Sequence, residues 1–262
     1  MTETELVQII EALGIARQRS QTAFDELEQT IKLLLTKPIQ PPLPTTGVTP
    51  AVALEVGHYE AVVRQAYLDS TGKDAKWTWS VGLTSATGHN VERYIDNPQT
   101  LQRCMDVYVW ALRNYAKQVD VAFGGFVLPQ HAYAGAVSFH WNTGAIRNAK
   151  WPALYMAGEH KLAESDFKRY NRSGGKINQV LVNRRAAEAD LIWRGVWANV
   201  GTMTEFTKLT SKHTPVWSSA KTVDVREDLV RAFAFGIEPM LDQPPQPNSA
   251  PEAPTLTPKL MG

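Results

Sequence analysis

Two proline-rich stretches decide how much of this chain can join one folded body. Between Lys37 and Pro50 the run KPIQPPLPTTGVTP holds five prolines. Each fixes φ and lacks an amide N–H, so no helix continues through the run, and an extended tether is expected over 37–50. Residues 242–262, DQPPQPNSAPEAPTLTPKLMG, repeat that composition and are expected to form an extended or disordered tail. The 262 residues are 44% hydrophobic, so the stretch between the tethers can bury the core of one compact domain with extensions.

Ahead of the first tether, Leu6, Ile10 and Leu13, then Phe24, Leu27, Ile31 and Leu34, recur at heptad spacing. Residues 1–36 therefore read as an amphipathic helix. Arg17 and Ser20 on the same seam weaken a coiled coil. The helix either packs on its own domain or offers residues 6–35 for self-association or docking.

The start, MTETELVQ, is acidic and lacks the basic and apolar regions of a signal peptide, and no apolar stretch reaches about 18 residues. Neither export by its own signal nor membrane insertion is expected. Lys and Arg number 27 against 26 Asp and Glu, a net charge of +1 that advertises no nucleic-acid partner. The lone Cys104 excludes an internal disulfide and falls in an amphipathic pattern that reads as a buried, inert thiol. No histidine shows metal-ligand spacing with cysteine or acidic residues, so neither metal nor cofactor is expected.

Between the tethers the pattern is mostly helical. Residues 51–67 read as a helix, 69–89 as turns and short strands rich in Gly, Thr, Ser and Trp, and residues 98–119, 130–141, 151–160, 162–170 and 184–193 carry periods near 3.6. One short β-region among many helices makes an α+β domain. Beyond Val196, residues 206–209 and 216–225 are strand-like and 225–235 reads as a short helix, a C-terminal extension over 199–241 that fits a small add-on packed on the domain or a separate binding element.

The run HYEAVVRQAYLDS (58–70), then Gly72 and WTWSVG (77–82), places a glutamate, an aspartate nine positions later and a hydroxyl on the next strand. Hydrolysis of a glycosidic bond needs an acid for the leaving oxygen, a second carboxylate and a group that fixes water. Spacing alone is weak support, since solvated helix faces supply such pairs constantly.

The full string resembles the phage-type lysozymes, glycoside hydrolase family 24: Glu60, Tyr67, Asp69, Gly72, Thr78 and Gly82 fall on that family's motif in order. Ala61 and Ser80 stand where the family usually has glycine, and the turn before Thr78 is longer by about three residues. AVSFHWNTG (136–144) resembles its buried helix ending in Asn-x-Gly, and NRRAAE (183–188), running on to Gly195 and Trp197, its closing arginine-rich helix.

The resemblance covers most of 51–198. It implies a lysozyme-like fold with the β-region beside the cleft, and a muramidase that cleaves peptidoglycan between N-acetylmuramic acid and N-acetylglucosamine. Glu60 would be the general acid and Asp69 with Thr78 would hold water. Asn142 would contact sugar, Arg184 would pair with Glu60, and Tyr67 and His89 would support the site. A phage protein of this kind waits in the host cytoplasm for release to the wall or rides on the virion. Of Arg184 and Arg185, at least one is expected to decorate a solvated face. Trp77, Trp79, Trp141 and Trp197 read as core residues or sugar platforms. Lys168, Arg169, Arg172 and Lys176 form a basic run that is either a solvated face or an attraction for the anionic wall.

Overall fold

The computed structural model describes residues 47–70, 75–198 and 201–235, together with Gln21. The chain divides into two units, Met1–Leu43 and Pro44–Gly262. The heptad helix apart from Gln21, most of the first proline tether, Gly72 and the proline-rich tail lie outside the described residues.

Thr49 and Pro50 start α1 (Pro50–Gly57). The Thr49 hydroxyl accepts the Val52 N–H at 3.3 Å, and proline suits the first helical turn, where no N–H is needed. The helix ends at Gly57, and 61–68 is not helical: β1 (Ala61–Leu68) follows after a short turn. This corrects the expected helix over 51–67. Val62 and Val63 are β-branched and suit a strand, and both edges of β1 are paired, one by the next strand along the chain and the other by a strand more than 130 residues away.

β1 runs antiparallel to β2 (Trp77–Ser80), which pairs with β3 (Leu83–Thr84). On its other edge it runs parallel to β6 (Thr202–Phe206), which pairs antiparallel with β7 (Ala220–Asp224). The sheet order is β3-β2-β1-β6-β7. The register between Val63↔Ser80 and Tyr67↔Thr78 is irregular. The bulge spreads burial along β1 in doublets: Val62 and Ala66 enter the main core, while Val63 and Tyr67 pack with Phe206.

The helices wrap α3 (Gln130–Thr143), whose residues 132–141 are all buried. A helix apolar on every side belongs at the centre of a domain. Gly135 lets α6 (Gln179–Arg194) approach closely, since a β-carbon there would lie 2.3 Å from Ile192 Cγ1. Around this pair stand α2 (Leu101–Phe123), α4 (Trp151–Met156) and α5 (His160–Lys168). A small hairpin, β4 (Arg172–Ser173) and β5 (Lys176–Ile177), precedes α6, and α7 (Arg226–Phe235) packs on α2 and α1. Residues 202–235 thus complete the sheet and the helical layer. No helix among the described residues is long and apolar enough to cross a membrane.

Candidate active site

Glu60 sits where α1 gives way to β1. Tyr59 and Glu60 donate their N–H groups back to Val56 and Gly57 at 3.4 and 3.0 Å, closing the turn that turns the Glu60 side chain into the protein. That side chain is 2% exposed, and its Oε1 accepts from Arg184 Nη1 at 2.9 Å. The strongest influence on the carboxyl is burial, which disfavours charge. The Arg184 guanidinium opposes it and Glu188 adds to it, leaving the carboxyl titrating at about 7.

Arg184 is itself held on three sides. Nε donates to Glu188 Oε1 at 3.0 Å, Nη2 reaches the Ser138 hydroxyl at 3.4 Å, and the guanidinium lies 4.8 Å from the centre of the Tyr59 ring. Ser138 donates to Glu188 at 2.6 Å. Arg185 continues the chain: Nη2 lies 2.7 Å from Glu188 Oε2 and donates to Asn142 Oδ1 at 2.9 Å, while its guanidinium faces Phe139 and Phe167. Both arginines are buried, at 7% and 1% exposure, so neither decorates a solvated face. Burial lowers Arg185 to about 10, still charged at neutral pH.

Charges therefore alternate along Glu60, Arg184, Glu188 and Arg185. Glu188 and Ser138 carried no assigned role in the sequence reading. Glu188 could have been found from its spacing, three and four positions beyond the two arginines on one helix.

The second group lies on the hairpin. Thr78 is directly opposite Tyr67, and Asp69 follows the last residue of β1, its N–H donating to the Lys76 carbonyl at 3.2 Å across the hairpin. Asp69 Oδ1 accepts the Lys76 N–H at 2.9 Å, and Thr78 Oγ1 donates to the Lys76 carbonyl at 3.3 Å. The Tyr67 hydroxyl resists ionisation, first because it is buried and then because both Glu60 and Asp69 act on it. Tyr67 thus lies within electrostatic reach of both carboxyls.

Ser80 adopts a positive φ of 55°, a conformation that favours glycine, and its buried hydroxyl donates to the Cys104 carbonyl at 2.9 Å. A side-chain hydrogen bond thus offsets the backbone cost at a position where the resembling family uses glycine.

Asn142 ends α3 with its carbonyl oxygen held by Arg185, which leaves its amide N–H groups as donors. His89 is buried beneath the hairpin, 2.9 Å from the Tyr94 hydroxyl and stacked on that ring, which in turn stacks on Trp79. Its place is in the packing that supports β2. Trp79 and Trp141 are fully buried, whereas Trp77 and Trp197 are half-buried. Lys168, Arg169 and Arg172 of the basic run, with Lys150, line a groove of about 630 Å³ that also holds Asp166, and Lys168 pairs with Glu164 at 2.6 Å. Among the described residues no group of His, Cys, Asp or Glu could hold a metal ion.

The arrangement is a buried carboxyl paired to an arginine, with a carboxylate and a hydroxyl carried on the β1–β2 hairpin. The phage lysozyme family matches residues 57–188, half of the chain, and the chain belongs to that family. It is 40% identical over 86 residues to an endolysin of Bacillus phage PZA, a match covering 32% of this chain and 33% of that one. Against an endolysin of Bacillus phage B103 it is 31% identical over 96 residues, 36% of each chain. The chain thus spans about a third of the length of these curated relatives. A muramidase domain of SpmX from Asticaccaulis excentricus superposes with a TM-score of 0.46 and 17% identity, covering 57% of this chain and 99% of that one. The active form of P1 phage endolysin Lyz gives a TM-score of 0.46 and 18% identity, covering 58% and 86%.

Proposed function

We propose that the protein is a peptidoglycan muramidase that hydrolyses the β-1,4 bond between N-acetylmuramic acid and N-acetylglucosamine. The observation that carries this reading is Glu60, a carboxyl buried to 2% exposure, oriented by Arg184 and titrating at about 7. Such a group still holds its proton near neutral pH and gives it to the leaving glycosidic oxygen. Asp69 uses one oxygen on the Lys76 N–H and keeps the other for water. Thr78 spends its hydrogen on the Lys76 carbonyl and accepts from the same water with its lone pairs. Held by both, the water attacks the anomeric carbon with its own lone pair and gives a proton to the Asp69 carboxylate as the bond to the leaving oxygen breaks. Asn142 contributes amide donors to the sugar, and the basic groove around Lys168 and Arg172 attracts the anionic wall.

The curated relatives' printed name, endolysin, and the family membership support the same reaction. As a phage lysin the protein reaches the wall from the host cytoplasm or on a virion, with residues 6–35 as its seam for self-association or docking.

The test is turbidity loss of purified cell walls with mass spectrometry of the released muropeptides. Wild type is expected to clear walls and leave reducing ends, with activity falling as pH rises through about 7, where Glu60 loses its proton. Glu60→Gln is expected to lose at least about 10²-fold in rate. Anhydro ends would reassign the reaction to lytic transglycosylation, and absence of any released fragment would leave a wall-binding protein on this fold.

A further inference from the structure

The strands and helix after Ala198 lie beyond the family match, yet they touch the chain on both sides of Glu60. Before Glu60, the buried carboxylate of Glu55 accepts the Ala198 N–H at 3.1 Å. Two residues on, Gly57 has no side chain, and the Met203 methyl fills the space: a β-carbon at Gly57 would lie 1.9 Å from Met203 Cε. Directly after Glu60, Ala61 and Val62 pair with Thr204 and Glu205 of β6. Glu205 is buried and fixed by Arg64 at 2.7 Å and Lys221 at 3.3 Å, so β6 cannot slide without breaking ion pairs.

At the other end of β1 the Leu68 N–H, one residue before Asp69, donates to the His213 carbonyl at 2.8 Å. The His213 ring meets Trp77 edge-on, one residue before Thr78.

We infer that the segment from Ala198 to Val225 is a positioning element of the active site: Met203, through Gly57, holds the turn that carries Glu60, and the His213 carbonyl holds the end of β1 that carries Asp69. The inference rests on the reading of those two carboxyls as acid and water holder. Its physical basis is that the turn at 58–60 is closed by three short-range backbone hydrogen bonds, from His58, Tyr59 and Glu60, all back to α1 and none to the sheet that must align Glu60 with Asp69. Displacements near 1 Å at a reacting group cost up to about 10²-fold in rate. The protein therefore fixes the strand that joins the two carboxyls from its far edge.

The experiment uses the full chain with Met203→Ala, Gly57→Ala and the double variant. Met203→Ala empties the space beside Gly57, and the Gly57→Ala methyl occupies the same space. Each single change is expected to lower kcat by roughly 10- to 100-fold on soluble glycan fragments with KM little altered. In Met203→Ala the Glu60 carboxyl, followed by 13C NMR, is expected to titrate at lower pH because water reaches it. The double variant is expected to recover most of kcat.

Should Met203→Ala not fold, Met203→Leu, which removes the terminal methyl but keeps bulk, is read in the same way. A lowered melting temperature with unchanged kcat and unchanged Glu60 titration makes the segment merely structural and overturns the inference. Persistent wall lysis by Glu60→Gln would sink the proposed reaction instead, and a shifted Glu60 titration would still support the positioning.

Discussion

Replacing Glu60 by Gln should destroy activity and at the same time stabilise the protein, by an amount that depends on pH. The Glu60 carboxyl titrates at about 7 in the fold against 4.5 as an unperturbed group. A carboxyl with a raised folded value binds its proton more tightly in the fold. Its contribution is therefore fully present below pH 4.5 and is lost as pH rises through 7. By pH 8, where Glu60 is ionised in both folded and unfolded chains, folding is about 3 kcal/mol less favourable than at pH 4. Gln has nearly the shape of the protonated acid and carries no charge, so it escapes that cost.

Urea unfolding of wild type and Glu60→Gln should thus coincide near pH 4 and separate by about 3 kcal/mol at pH 8, with Gln the more stable. In melting temperature the separation is about 6 to 12 °C for a domain of this size. A difference that stays flat with pH, or a Gln variant less stable at pH 8, would show that Arg184 outweighs burial and holds Glu60 as an ordinary ionised partner.

Glu188→Gln leaves Arg185, buried to 1% exposure, without a carboxylate and should destabilise the protein by about 3 to 5 kcal/mol in urea unfolding. The same change removes a charge that raises Glu60, so the alkaline fall in activity should move to lower pH. A product with the initial α-configuration, read by proton NMR of the first released sugars, is expected if Asp69 and Thr78 hold water rather than attack directly; an initial β-anomer refutes those roles. Deleting residues 1–36 should leave lysis of isolated walls nearly intact but change the mass seen by light scattering, while insolubility of the product would place the helix in the enzyme's own core.

The motif positions of Glu60, Asp69 and Thr78 were legible because they are local. The helices over 130–141 and 184–193 were legible because apolar period and Asn-Gly or Arg-rich ends mark them. The strand over 61–68 was not. AVVRQAYL fits a helix nearly as well as a strand, and what decides is pairing on both edges, including β6, far along the chain. Short apolar runs are ambiguous by periodicity alone. The burial of Arg185 was unreadable for a similar reason: its partners Asn142, Phe139 and Phe167 come from other helices, and only Glu188 lies within reach along its own.

That alternating cluster explains how an arginine can orient an acid without keeping it ionised. A guanidinium facing a buried carboxyl alone would hold it charged, because the pair's attraction grows as water is excluded. Here Arg184 gives Nε to Glu188 and only Nη1 to Glu60. Its positive charge is already partly balanced by Glu188, whose own charge pushes the Glu60 carboxyl upward. Arg185 then balances what remains of Glu188 and fixes the Asn142 amide. The hydrogen bond from Arg184 sets where the Glu60 oxygen lies, burial decides that it keeps its proton near neutral pH, and Glu188 supplies the charge that lets the two coexist. The same residues tie the Asn142 end of α3 to the carboxyl just before β1, so orientation and proton affinity at Glu60 are set by one connected set of side chains.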